Sequence, residues 1–203
     1  LVTINAATAG GITLNAQTIA ANYTDTAANL VAAFSGITTH TGTLTLTDGP
    51  TVTQLNAIAG ATSGIVTASI SGTAATLATL TTGAADVITV TLTDGVAATV
   101  AQLVTINAAT AGGITLNAQT IAANYTDTAA NLVAAFSGIT THTGTLTLTD
   151  GPTVTQLNAI AGATSGIVTA SISGTAATLA TLTTGAADVI TVTLTDGVAA
   201  TVA

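Results

Sequence analysis

Four aspartates at the ends of alternating apolar and threonine runs are the strongest metal-ligand candidates in this 203-residue chain. Asp48 and Asp94 each precede a glycine in a predicted turn, and Asp150 and Asp196 repeat that pattern. Calcium prefers several converging oxygen ligands. If the turns share one edge of the fold, their carboxylates and nearby carbonyl oxygens can hold a calcium ion. No dedicated calcium loop and no other cofactor are predicted.

Histidine and nucleophile patterns offer no catalytic arrangement. His40 and its repeat His142 are the only histidines. Each follows a glycine and threonines in a predicted loop, so we expect solvated side chains there. No nucleophile–base pair has a plausible partner. The sequence therefore predicts that the protein is not an enzyme.

Hydroxyl side chains alternate with apolar ones over residues 43–47, 66–71 and 88–93. Alternation with a period of two is typical of strands with one buried face. The opposite face carries Thr43, Thr45, Thr47, Thr67, Ser69, Thr89, Thr91 and Thr93. This face is either a solvated surface or a contact face for a second chain or a ligand. A further, shorter strand is expected over residues 12–15.

Short helices with capping signals separate these strands. Thr51 with Gln54, and Thr99 with Gln102, have the spacing of capping boxes. Asp25 is a predicted N-cap. Apolar residues then recur at helical spacing around four anchor leucines, and glycines follow as predicted stops. The anchors are Leu30, Leu55, Leu77 and Leu103, and the stops are Gly36, Gly60, Gly83 and Gly112.

An exact repeat sets the organisation of the chain. Residues 103–203 repeat residues 1–101 without a substitution, so the domains are residues 1–102 and 103–203, and we expect a longer tandem array. Each copy contains about four strand–helix units. These units predict an α/β fold. We expect a right-handed repeat solenoid with one parallel strand and one short helix per coil. Eight coils are expected in the two copies together. The alternative is an all-β parallel helix in which the threonine-rich segments are further strands.

Composition excludes several classes of partner. There is no Lys or Arg against 8 acidic residues, so nothing neutralises phosphate groups and we expect no nucleic-acid binding. No apolar run reaches the roughly 18–20 residues of a membrane helix, so no membrane insertion is expected. Cys and Met are absent, which suits a long-lived material exposed to oxidation.

Several short motifs resemble known repeats. Residues 25–30 (DTAANL), the LTDG turns at 46–49 and 92–95, and the TVxQL segments are similar to repeats of very large, low-complexity bacterial cell-surface or secreted proteins of cyanobacterial and proteobacterial type. The resemblance implies an extracellular or cell-surface location and a structural or adhesive role.

These observations predict a structural repeat of an extracellular filament, sheath or stalk. Its expected partner is itself, through neighbouring repeats or like chains in a fibre. The alternative is an adhesin or binding module whose Thr/Asn-rich strand face holds glycan, mineral, ice or calcium.

Overall fold

A computed structural model describes residues 1–197 and residue 199. The chain divides into two compact units, each described here by itself. One unit comprises Leu1–Asp94 with Thr105–Thr115, and the other comprises Gly95–Val104 with Leu116–Ala203.

Helices and parallel strands alternate along the chain. The described helices are α1 (Val2–Ala6), α2 (Ala16–Ala20), α3 (Ala27–Phe34), α4 (Val52–Ala61), α5 (Ala74–Leu77), α6 (Val100–Ala108), α7 (Ala118–Ala122), α8 (Ala129–Phe136), α9 (Val154–Ala163) and α10 (Ala176–Leu179). The described strands are β1 (Tyr23–Asp25), β2 (Leu44–Leu46), β3 (Val66–Gly72), β4 (Val87–Leu92), β5 (Ile114–Thr115), β6 (Tyr125–Asp127), β7 (Leu146–Leu148), β8 (Val168–Gly174) and β9 (Val189–Leu194).

Each unit holds one sheet whose described strands are all parallel. The order is β1-β2-β3-β4-β5 in the first sheet and β6-β7-β8-β9 in the second, so spatial order follows chain order. The longest described ladders are those of β3 with β4 and of β8 with β9. These findings confirm the predicted α/β class. The all-β alternative is wrong, because threonine-rich segments such as residues 51–61 form capped helices.

Both predicted capping boxes are confirmed, and Thr99 and Gln102 make the two characteristic bonds at α6. Thr51 and Gln54 form a complete capping box at α4. Two details differ from the predictions. Thr26 is the N-cap of α3, whereas Asp25 ends β1, and hydrogen bonds from Asn29 and the Thr26 amide lower the pKa of Asp25. Gly60 lies inside α4 rather than ending it.

The helix that was predicted to stop at Gly36 does stop there. Gly36 follows the C-cap of α3 with a φ of 74°, a left-handed conformation that favours glycine. The chain can therefore leave the helix without the steric cost that a side chain would impose.

The core of each unit lies between its sheet and its helices. Inward-facing residues such as Leu44, Val66 and Ile88 are fully buried. Helix α3 contacts β2, and α4 and α5 both contact β3. The four anchor leucines are buried as predicted, Leu30, Leu55, Leu77 and Leu103.

The number of strand–helix units per repeat was underestimated. Strand β1 and helix α2 were missed, together with their repeats β6 and α7, so residues 103–203 contain five strands, β5 to β9, where four were expected. Residues 12–15 form no strand, although residues 114 and 115, which repeat residues 12 and 13, form β5. The difference is the presence of a partner, because β5 pairs with β4.

Among the helices of the described residues, none combines the length and apolar character needed to cross a membrane.

Candidate functional site

The predicted contact face lies on the outer side of the first sheet. Its eight side chains are either exposed or half-buried, while the residues between them point into the core. The exposed members are Thr47, Ser69, Thr89 and Thr93, and the half-buried members are Thr43, Thr45, Thr67 and Thr91. Thr43, Thr47 and Thr93 flank their strands rather than belonging to them.

Strand register brings several of these hydroxyls into rows across the sheet. Thr45 pairs with Thr24 on one side and with Thr67 on the other. Ser69 pairs with Thr89 in the next ladder. The first row meets Val87 on β4, which is 41% exposed, so apolar surface interrupts the polar face at that point. The role of this face as a contact surface stays a prediction.

The four calcium candidates each bind a helix N-terminus in the preceding strand–helix unit, and we call each such unit a coil. Asp48 accepts a hydrogen bond from the Ala27 amide of α3, and Asp94 accepts one from the Ala74 amide of α5. Asp150 and Asp196 do the same at α8 and α10, accepting from the amides of Ala129 and Ala176. A carboxylate placed there satisfies an otherwise unpaired amide and suits the positive end of the helix dipole.

These carboxylates therefore sit at separate helices. Within residues 1–197 and 199, no three acidic or histidine side chains converge in a way that could hold a metal ion. The predicted calcium role of the four aspartates stays a prediction. Their observed bonds link one coil to the next.

Asp86 is a buried carboxylate whose role the sequence did not reveal. It is 8% exposed, in a chain without lysine or arginine. One carboxylate oxygen accepts the Val66 amide, at the start of β3, and the other accepts the Gly83 amide, each at 2.7 Å. The charge is thus held by backbone dipoles rather than by a cation. In the sequence, Asp86 is visible only as an aspartate that precedes a run of β-branched residues. Its hydrogen-bond partner, the Val66 amide, lies 20 residues upstream, so no local pattern points to it.

His40 was predicted to be solvated, and that prediction is wrong. His40 and His142 are both fully buried. The His40 ring lies 4.8 Å from the Phe34 ring and 5.6 Å from the Tyr23 ring, between centroids. Its loop bridges to Thr62 of the following coil, so a position outside regular structure did not mean exposure to water.

Both imidazole nitrogens have partners in neighbouring coils. His40 Nε2 donates to the Ala21 carbonyl oxygen at 2.8 Å, which places the hydrogen of a neutral ring on that nitrogen. Nδ1 lies 3.0 Å from the Thr62 hydroxyl. The second copy repeats this arrangement around His142. Burial lowers the pKa of His142, and the hydrogen bond to the Ala123 carbonyl oxygen opposes that shift.

Other polar side chains also bind the backbone of an adjacent coil. Asn22 accepts the Thr43 amide at 2.8 Å. Asn56 donates to the Thr79 carbonyl oxygen and accepts the Thr81 amide. These bonds join residues 21–25 positions apart. That separation is about one coil, so the side chains hold successive coils in register.

Glycine permits the closest contact between coils. A Cβ atom at Gly64 would overlap the backbone of Gly42, and a Cβ at Gly42 would overlap the Ala21 carbonyl oxygen. Three successive coils therefore approach each other through bare backbone at these positions. No other residue fits there without moving the coils apart.

These polar side chains all bind backbone groups of an adjacent coil. We call this set of side chain–backbone bonds the inter-coil ladder. Its members are Asn22, His40, Asp48, Asn56, Asp86 and Asp94, with their counterparts in the second copy, and Thr110, which accepts the Ile88 amide. No protein-family model matches the chain, and no similar curated protein or solved structure was found.

Proposed function

We propose that this chain is a structural repeat of an extracellular filament, sheath or cell-surface stalk. In this proposal it is a non-catalytic right-handed solenoid with one parallel strand and one short helix per coil. Each coil covers the apolar side of the next, so the array lengthens without a new kind of contact. Parallel strands joined by helical crossovers are right-handed in nearly all known cases.

The inter-coil ladder is the observation that carries the proposal. Polar side chains usually define a ligand site where they converge in a pocket. Here they bind backbone groups of the neighbouring coil, as His40 does with Ala21 and Asp86 does with Val66. In this proposal such bonds join each coil to the next, and among the described residues no three acidic or histidine side chains converge to hold a metal ion.

Repetition of the ladder in both copies supports the same proposal. Asp150 and His142 bind the second copy's backbone as Asp48 and His40 bind the first. Because the repeats are identical, the contacts between coils are the same along the whole proposed array. Lack of Lys, Arg, Cys and Met supports an extracellular location, because trypsin-like proteases and sulfur oxidation find no target.

Electron cryo-microscopy of the native material tests this function. We expect continuous filaments with an axial repeat of about 24 Å per 102-residue unit, given five strands per unit and about 4.8 Å between strands. Discrete short particles without such a repeat would contradict the proposal.

Solution scattering from recombinant arrays gives a matched test. In arrays of two, four and six copies, the maximum dimension should grow linearly while the radius of the cross-section stays constant. Gly64→Val should disturb this growth because its side chain has no space, whereas Gly49→Val has open space and is the control. A cross-section that grows with copy number would exclude a stacked solenoid.

The outer threonine rows favour a second candidate, an adhesin that binds glycan, mineral, ice or calcium. The supporting observation is that Thr45 and Thr67 lie in register on an outward face. A binding module should melt at a higher temperature with its ligand, and calcium binding should make melting sensitive to a chelator. A passive structural repeat should show neither effect.

A further inference from the structure

One member of the inter-coil ladder uses only half of its carboxamide group. Asn22 Oδ1 accepts the Thr43 amide at 2.8 Å, whereas Nδ2 has no hydrogen-bond partner among the described residues. Because the Thr43 N–H is a donor, the atom that faces it is the carboxamide oxygen, and the amino group remains unused. Asn56 differs, since its two carboxamide atoms bind Thr79 and Thr81.

The second copy contains the same arrangement in the middle of the chain. Asn124 Oδ1 accepts the Thr145 amide at 2.8 Å, and Nδ2 again has no partner in the part of the chain that the structure describes. Both asparagines are exposed. An exposed and unused amino group at this position is therefore a property of the repeat.

The residues that follow these two asparagines complete an acceptor pattern for sugars. The tripeptides Asn22-Tyr-Thr24 and Asn124-Tyr-Thr126 match Asn-X-Ser/Thr, the acceptor pattern of N-glycosylation. No other asparagine in the sequence has Ser or Thr two positions later. The pattern thus coincides with asparagines whose amino group is unused.

Strand β1 presents both recognised side chains of the tripeptide on its outer side. The Tyr23 ring packs against the Phe34 ring, with 5.5 Å between centroids, and Tyr23 is half-buried. Successive side chains of a strand point to opposite faces, so Asn22 and Thr24 point away from the core, and both are exposed. The tyrosine anchors the tripeptide while the amide and the hydroxyl remain at the surface.

We propose that Asn22 and Asn124 are N-glycosylation sites. The donor is a sugar that is activated through a phosphate on its anomeric carbon. Nδ2 forms a bond to that carbon, the bond from the carbon to the phosphate oxygen breaks, and one Nδ2 proton passes to the phosphate leaving group. This inference rests on the proposed extracellular location, because the acceptor pattern is used in secreted proteins.

The fold can carry the sugar without losing the bond between coils. A carboxamide substituted on nitrogen keeps its carbonyl oxygen, so Asn22 Oδ1 still accepts the Thr43 amide. Its nitrogen is exposed, so the sugar lies in solvent beside the outer face of β1. The repeat then carries one sugar site per 102 residues.

Peptide mass spectrometry of the native material tests the assignment. Pepsin is used for digestion, because the sequence has no Lys or Arg for trypsin. We expect peptides that contain residues 22–24 or 124–126 to carry the added mass of sugar, and fragmentation should locate it on the asparagine. Unmodified asparagine in all these peptides would overturn the proposal. Sugars confined to threonine hydroxyls would overturn it as well.

Two variants at Thr24, made in the native host, give a matched comparison. Thr24→Val keeps the β-branched shape at an exposed position but removes the hydroxyl, so sugar on Asn22 should be lost. Thr24→Ser keeps the hydroxyl and should retain the sugar. Asn124 in the same chain is the internal control and should stay modified in both variants. Sugar on Asn22 that survives Thr24→Val would contradict the inference.

The variant Asn22→Asp separates the sugar from the fold. Its carboxylate can still accept the Thr43 amide, but it has no amino group to modify. Sugar should therefore be absent from residue 22 while thermal unfolding matches that of Thr24→Val. Sugar in the residue 22 peptide of this variant would overturn the assignment. The filament test does not depend on sugar, so the proposed function and this inference can fail independently.

Discussion

Asp86 and Asp48 both accept hydrogen bonds from backbone amides of the preceding coil, but in different surroundings. Asp86 is buried beside the sheet, and its two oxygens accept the amides of Val66 and Gly83. Asp48 is exposed at the helix side, and one oxygen accepts the Ala27 amide at 2.7 Å. The bond to Ala27 is as short as the bond to Val66.

The difference lies in what happens when each carboxylate is removed. Asp48 is exposed and its bond to the Ala27 amide is only partly buried, so on removal of the carboxylate we expect water to take its place, although Ala27 itself is buried. The Val66 amide lies where water is excluded, so losing its partner leaves a buried donor unpaired. We therefore expect the buried aspartate to determine whether coils stay together, and the exposed one to adjust the stability of a single helix.

The largest expected effect is that of Asp86→Ala. It should destabilise the surrounding coils by about 3 kcal/mol, because two hydrogen bonds to a charged group are lost and a buried amide is left unpaired. Native-state hydrogen exchange at the Val66 amide measures this locally, which suits a repeat array that need not unfold in one step. Asp188→Ala is the matched control, since Asp188 makes the same bonds but is only half-buried. Equal losses would show that burial is not the cause.

A smaller effect, with a pH signature, is expected for His142. Substitution by Gln should cost about 2 kcal/mol at pH 8, through lost ring packing and hydrogen bonds. Because the folded-state pKa of His142 is lowered from 6.5, the unfolded chain binds the proton more readily. Stability should therefore be fully present above about pH 6.5 and decline as the pH falls through the lowered pKa. Thermal unfolding from pH 8 to pH 5 should show a shallower decline for His142→Gln than for the wild type.

An identical decline in the two proteins would contradict the role of His142 in the pH dependence. His142→Asn serves as a second variant, because it also removes the titrating group. If both variants show the same shallower decline of stability with falling pH, its cause is the loss of the titrating ring rather than a specific effect of Gln or Asn.

Asp48→Ala should have a modest effect. Losing a charge-assisted bond at a helix N-terminus costs about 1 kcal/mol. We expect faster hydrogen exchange confined to the first turn of α3, with Val66 unaffected. Asp48→Asn keeps an acceptor and should recover most of the loss. If hydrogen exchange accelerates across several coils instead, Asp48 also holds coils together, and the proposed difference between Asp48 and Asp86 is wrong.

The smallest effect is expected on the outer face. Thr67→Val keeps the β-branched shape at a half-buried outward position, so stability should change by less than about 0.5 kcal/mol. Electron microscopy of the variant then asks whether filaments still associate side by side. Unchanged stability with lost lateral association would identify the face as a contact surface, whereas no change in either would leave it a solvated surface.

Sequence reasoning succeeded where the signal was local. The alternation in β3 and β4 predicted strands, and the short helices between strands predicted that they run parallel. Thr51 with Gln54 predicted the start of α4. Strand β1 was missed because its three residues do not alternate between apolar and polar, whereas the equally short β2 lies within the alternating residues 43–47. It exists because β2 lies beside it, which no local pattern records.

The candidate site was harder to predict for the same reason. His40 and Asp86 have partners 19–22 positions away, in other coils. Burial of His40 follows from the approach of the adjacent coils rather than from its own neighbours in sequence. The contrast between residues 12–15 and β5 makes the point most directly, since identical residues form a strand only where a partner is present.

The inter-coil ladder has a consequence for how such a protein can evolve. In bonds such as Asp86 to Val66, one partner is a side chain and the other is a backbone amide. Every residue except proline supplies that amide, so the receiving position can mutate without a compensating change. A coil copied by unequal recombination would find its binding groups already present in any neighbour. Duplication of whole units, followed by independent drift at the receiving positions, is therefore open to this sequence at little cost in stability.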